Sequence, residues 1–178
     1  MNAFKIRLAD KVIAVSALHG YIADYCRGYI SDDTPDFTVQ ITQSDIDYEI
    51  EKSKQEDIKE GIPIRNFSDE YLETLAVYRK TAEKMIDYDT ILFHGSAVAV
   101  DGIGYLFTAK SGTGKSTHTR LWRELFGERA VMLNDDKPLI KVSENGIIVY
   151  GTPWDGKHRL STNTFVPLKG ICFMSKWL

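Results

Sequence analysis

Cysteine is scarce in this 178-residue chain: Cys26 and Cys172 are the only two. They are far apart and lack metal-ligand spacing, so neither a disulfide framework nor a thiolate metal site is expected, and two free thiols in a reducing compartment fit better. Long apolar runs are missing too. Nothing approaches the length of a membrane span, and the opening "MNAFKIRLADK" lacks the apolar stretch of a secretory leader, so a cytoplasmic location is expected. Charge of one sign is also lacking. The formal net charge is −3, which gives no global field to draw nucleic acid or an anionic membrane, so any anion site must be local. There is no internal repeat and no low-complexity tract. What remains is ordinary for a globular protein, with 43% hydrophobic and 26% charged residues.

Patterning divides the chain near residue 88. Residues 1–88 read as a small α+β segment. "FKIRLADKVIAVS" is two strands around Ala9-Asp10, "LHGYIADYCRGYI" is helix-like, and "DFTVQIT" alternates as a strand. Residues 43–62 are dense in charge and read as a solvated surface helix or loop. "SDEYLETLAVYRKTAEKMIDYD" is a helix capped by Ser68 or Asp69, with Tyr71, Leu75, Tyr78, Ala82 and Met85 as its packing stripe, flanked by Leu72 and Ile86. Residues 89–178 change character. "SAVAV" and "IGYLFTA" flank Asp101-Gly102, "KPLIKV" and "IIVYG" flank Asn145-Gly146, and both dipeptides favour hairpin turns. "PLKGICFM" is a further strand.

Between the hairpins lies "FTAKSGTGKSTHTRLW". An apolar strand leads into a loop whose Gly112 and Gly114 let successive N–H groups curl round an anion. Ser111, Gly112, Thr113, Gly114, Lys115, Ser116 and Thr117 would form the nucleotide-binding loop. Lys115 supplies a point charge for the outer phosphates, and Ser116 a hydroxyl for Mg²⁺. A helix follows with Leu121, Trp122, Leu125 and Phe126 facing inward, its N-terminal dipole end under the phosphates. The usual pattern opens with glycine; here Ala109 stands in that place, which is acceptable where φ is negative. A Gly/Ser surface loop before an unrelated helix is the plain alternative. Roughly twenty residues on, the apolar run "AVML" delivers Asn134, Asp135 and Asp136. Neighbours in extended chain face opposite ways, so one aspartate can serve a metal and the other a base. His94 is either structural or functional. Lys157, His158 and Arg159 form a basic loop that touches phosphate or is simply solvated, and Trp154 packs.

The order "FHGSAVAVDGIGYLFTAKSGTGKST", then "LNDDK", resembles the HPr kinase/phosphorylase family over residues 90–172. "SGTGKST" and "LNDDK" also resemble the kinase motifs of ATP-dependent phosphoenolpyruvate carboxykinase, which shares that fold. The resemblance implies an α/β, α+β-like chain: a P-loop nucleotide core with a mixed, largely antiparallel sheet beside the N-terminal α+β segment. It implies ATP and Mg²⁺ as cofactors, with Ser116, Asp135 and Asp136 as metal ligands. Asp136 or Asp135 would be the catalytic base, with His94 as its partner and Lys115 on the transferred phosphoryl. The acceptor would be a hydroxyl on a protein or small molecule, and an oligomer is allowed. Thr117 departs from the glutamate usual in HPr kinases and matches the carboxykinases. The family's later arginine and subunit-contacting helices have no counterpart, so a shortened relative or fragment is expected. A nucleotide-binding sensor without catalysis and an ordinary P-loop ATPase are the competing readings.

Overall fold

The computed structural model describes residues 2–110, 112–156 and 158–175. Ser111 and Lys157 therefore lie outside the described residues. The chain divides into two compact units, Met1–Lys84 and Met85–Leu178.

In the first unit, β1 (Asn2–Leu8) and β2 (Lys11–Ala17) pair antiparallel from Asn2↔Ala17 to Leu8↔Lys11. Their two-residue turn puts Ala9 and Asp10 at φ 44° and 67°, the left-handed conformation that matches strand twist. A five-residue α1 (Tyr21–Tyr25) follows, and β3 (Phe37–Gln40) joins β2 in parallel, giving the order β1-β2-β3. Then come α2 (Gln43–Glu60) and α3 (Asp69–Met85). The carboxylate of Asp45 accepts the Thr42 N–H at 2.9 Å and starts α2; Gly61 at φ 68° ends it.

Two expectations need correction here. Residues 43–62 are not a merely solvated element, because Ile46, Glu49 and Asp57 of α2 are buried. Arg79 of α3 meets Glu49 at 2.7 Å, and Arg65 meets Asp57 at 2.6 Å, so these carboxylates go inside with guanidinium partners. On α3 the buried residues are Leu72, Glu73, Thr74, Ala76, Val77, Thr81 and Met85. Met85 of the expected stripe and its flanking Leu72 are inside, but Leu75, Tyr78 and Ala82 are only partly buried and Tyr71 is exposed, so the centre of the inward face is turned toward Glu73. Glu73 explains the rotation. Its carboxylate accepts the N–H groups of Leu18 and His19, at 2.6 and 2.9 Å, which fixes that face inward.

The second unit is a seven-stranded sheet ordered β4-β8-β9-β10-β6-β5-β7. The strands are β4 (Thr90–Leu92), β5 (Ser96–Val100), β6 (Ile103–Thr108), β7 (Ala130–Asn134), β8 (Leu139–Ser143), β9 (Gly146–Tyr150) and β10 (Phe165–Phe173). Only β10 and β6 run parallel; the other neighbours are antiparallel. The β5–β6 hairpin turns at Asp101-Gly102, as expected. The next hairpin turns at Glu144-Asn145 rather than Asn145-Gly146. Ser143 pairs with Gly146, whose φ of 123° already belongs to β9.

All five residues of β5 are buried, since both faces of the sheet are covered there. On one face Ala97, Ala99 and Leu106 pack with Leu133, Ile140 and Val149. On the other, Val98, Phe107 and Met132 receive α4 (Lys115–Phe126) through Trp122, whose ring meets Phe107 edge-on at 5.2 Å. Such an aromatic pair is worth about 1 kcal/mol beyond its burial. The inward face of α4 also differs from expectation. Thr119 is buried and Trp122 partly so, whereas Leu121 and Leu125 are 49% and 76% exposed. Helical spacing puts 115, 119, 122 and 126 on one face and 121 and 125 outside it.

Candidate functional site

Strand β6 ends against this core, and the chain then turns into α4 through residues 109–114. The Thr113 N–H donates to the Lys110 carbonyl at 3.2 Å. Gly112 and Gly114 have φ of 71° and 109°, and a Cβ on either would meet no atom within 4 Å. Glycine is demanded here by backbone conformation and not by crowding. Ala109 keeps a negative φ, so the missing first glycine imposes no left-handed strain. Gly114 is the N-cap of α4 and no side chain caps the first turn. The turn's N–H groups are therefore left for an outside acceptor, at the positive end of the helix dipole. The Lys115 ammonium folds back over the loop and donates to the Ala109 carbonyl at 3.1 Å.

The acidic pair is shaped by Asn134, which is fully buried. Its amide nitrogen donates to the Thr152 carbonyl and Oγ1 at 3.0 Å and to the Trp154 carbonyl at 3.2 Å. Its amide oxygen accepts the N–H groups of Asp136 and Lys137 at 2.8 and 2.6 Å. This turn ends β7 and gives the two aspartates different surroundings. Asp135 is 8% exposed. Its Oδ1 accepts from Ser96 Oγ at 2.6 Å, and that hydroxyl stands 2.9 Å from Thr119 Oγ1. Asp135 is thereby tied to β5 and α4 together. Gly156 backs onto its other oxygen so closely that a Cβ would lie 2.9 Å from Oδ2.

Asp136 is more open. Its Oδ1 lies 3.3 Å from His94 Nε2, and its Oδ2 accepts from Lys137 Nζ at 2.6 Å. Partial burial pushes this carboxyl up, but the His94 hydrogen bond and the Lys137 charge outweigh it and hold the pKa at about 2. His94 is placed by its backbone: its carbonyl accepts from Thr108 Oγ1 at 3.0 Å, and the neighbouring Gly95 N–H donates to the Asp136 carbonyl at 3.0 Å.

One cavity of about 580 Å³ gathers these groups. Gly112, Gly114, Lys115, Ser116 and Thr117 form its loop wall, with His94, Asp135 and Asp136 as its acidic wall. Gly156 and His158 also line it. Of the sequence-expected site residues among the described ones, all but Thr113 of the loop and Arg159 of the basic loop line this cavity; Arg159 instead lies 3.4 Å from Asp155, and Ser111 and Lys157 lie outside the described residues. Trp154 is buried, as a packing residue would be. Among the described residues no cluster of three or more His, Cys, Asp or Glu side chains forms a metal cage. Ser116, Asp135 and Asp136 are hard oxygen donors, and they suit a Mg²⁺ whose remaining ligands are phosphate and water.

The sequence reading missed Ser96 and Thr119, and it named Asn134 without its role. Thr119 had a signal: it lies one helical turn beyond Lys115, on the same face. Asn134 had a partial one, since an asparagine two and three residues before Asp136 and Lys137 can accept their N–H groups, but its bonds to Thr152 and Trp154 are remote in sequence, and Ser96 had none. No protein-family model matches this chain, and no curated protein matches it.

Proposed function

We propose that this protein binds ATP with Mg²⁺ in the 109–117 loop and transfers the γ-phosphoryl group to a hydroxyl acceptor, as a phosphotransferase of the HPr kinase/phosphorylase type. One observation carries the proposal. An uncapped helix N-terminus, two left-handed glycines and Lys115 share a single cavity with Asp135 and Asp136. The sheet supports the kinship. An ordinary P-loop ATPase sets its loop in a parallel sheet, whereas here a hairpin feeds the loop and only β10–β6 is parallel.

In this reading the N–H groups of Gly112 to Ser116 cup the β- and γ-phosphates. Lys115 exchanges the Ala109 carbonyl for a phosphate oxygen. Mg²⁺, when bound, neutralises charge on the transferring group. Asp135, anchored by Ser96, would hold the metal together with Ser116, which lines the same cavity. Asp136, with His94 against it, takes the proton of the acceptor hydroxyl. The new P–O bond forms to that oxygen as the bond to the bridging oxygen of ADP breaks. Asp136 is a weak base, but in a loose transition state the hydroxyl proton leaves late, so position matters more than basicity.

Equilibrium binding of ATP·Mg²⁺ tests the reading. The wild type binds at millimolar nucleotide or tighter, and Lys115→Ala removes that binding. A wild type with no affinity at that level ends the proposal. Transfer that is present and lost in Asp136→Asn separates a kinase from a sensor, which would bind nucleotide and transfer nothing.

A further inference from the structure

A second cavity, of about 410 Å³, adjoins the first and shares Ser116, Thr117, Asp135 and His158 with it. Its own walls are Arg120 and Arg123 of α4, with Met132 and Leu160. The volume falls in the range of about 300–1,000 Å³ typical of small-molecule sites. Resting on the phosphotransfer reading above, we propose that this cavity seats the acceptor, a small hydroxy compound whose carboxylate or phosphate group is held by Arg123.

The two arginines differ. Arg120 is committed to Glu124, at 2.5 Å and on an exposed surface. Arg123 has no carboxylate partner among the described residues, and its Nε is buried with no hydrogen-bond acceptor. A guanidinium offers five donors and cannot lose its charge, so one whose Nε–H is buried and unpaired beside a cavity calls for an anion from outside. Ser116, Thr119 and Arg123 lie on one face of α4, spaced by a turn each. At about 1.5 Å per residue, Arg123 stands about 10 Å along the axis from Ser116, and its long side chain shortens that gap. A small acceptor can therefore lay its anion on Arg123 and pass its hydroxyl across the seam that Ser116 and Asp135 share, into the first cavity, which Asp136 lines. Met132 and Leu160 supply an apolar wall for the carbon skeleton, and they exclude water from the ion pair.

The test uses the whole chain, ¹⁵N-labelled, with D-glycerate, glycerol 3-phosphate and glycerol as probes. The Arg123 Nε–H signal is followed while each is added up to about 10 mM. One or both anions shift it saturably and glycerol does not; which anion does so decides between carboxylate and phosphate. Arg123→Gln, with an otherwise unchanged amide spectrum, weakens that binding by about tenfold or more. Equal response to glycerol, no response to either anion, or undiminished anion binding in Arg123→Gln overturns the proposal. Anion binding in a protein that fails to bind ATP·Mg²⁺ overturns the acceptor role and, separately, the nucleotide reading.

Discussion

Asp136 holds its carboxyl near pH 2 because His94 and Lys137 oppose the cost of burying it. A folded-state pKa below the ordinary 3.8 means that this group stabilises the fold above pH 4 and stops doing so as the pH falls toward 2. Replacing His94 with alanine removes the leading favourable contact. The Asp136 carboxyl then titrates higher, toward its ordinary value, which carboxylate ¹³C NMR reads directly; an unmoved titration sinks this account of the pair. Ser96 makes the opposite kind of case, since it is buried and carries no charge. Ser96→Ala leaves Asp135 Oδ1 and the Thr119 hydroxyl without their shared partner. The expected loss is about 1–3 kcal/mol in urea unfolding and, on the proposed metal role of Asp135, a rise in the Mg²⁺ concentration needed for nucleotide binding. A midpoint equal to that of the wild type excludes a structural role for the bridge. The first group was visible in the sequence and the second was not. "NDD" after an apolar strand announces acid, but the hydroxyl that fixes one of its oxygens is thirty-nine residues away.

At the scale of elements, local signals were read well and faces less well. Hairpins written in left-handed turn residues, such as Ala9-Asp10 and Asp101-Gly102, form where the sequence places them, because backbone conformation is a local property. The inward face of a helix depends on what it meets. Leu121 and Leu125 count as core by hydropathy, yet Trp122 has the aromatic partner Phe107 on the sheet, and that contact sets the rotation of α4. The α3 stripe is displaced for a polar reason, the demand of two loop N–H groups for Glu73. The loop before α4 yields a sharp expectation. Gly114→Ala forces a Cβ onto φ of 109° with no crowding, so the effect is purely conformational. The cost is about 1–2 kcal/mol, and relaxing the strain moves the first-turn N–H groups off their common centre. ATP affinity is expected to fall by about tenfold or more, measured by titration calorimetry. Gly61→Ala, also at positive φ but in α2's cap, should cost similar stability and leave nucleotide binding unchanged. If both variants bind ATP alike, the left-handed glycine is not what shapes the anion site.

The whole molecule poses a question of division, because the contacts separate Met1–Lys84 from Met85–Leu178 and every described residue of the candidate site lies in the second unit. The small β1-β2-β3 sheet and its helices have their own buried side chains, including Ile6, Ile13, Ile46 and Leu72, and their own buried ion pairs. A ligand stabilises whatever it binds by mass action, about 2.7 kcal/mol at a hundred times its dissociation constant. Backbone amides whose exchange needs opening of that structure slow in proportion, by about a hundredfold, while amides exposed through other openings do not change. Hydrogen exchange of the full chain with and without ATP·Mg²⁺ should therefore show new protection in β5, β6, β7 and the first turns of α4. Amides of α2 should exchange as before, since nothing in the 580 Å³ cavity is contributed by that helix. Lys115→Ala should erase the difference throughout. Equal protection in α2 would mean that the two units open as one, and protection absent from α4 would remove the nucleotide from the loop altogether.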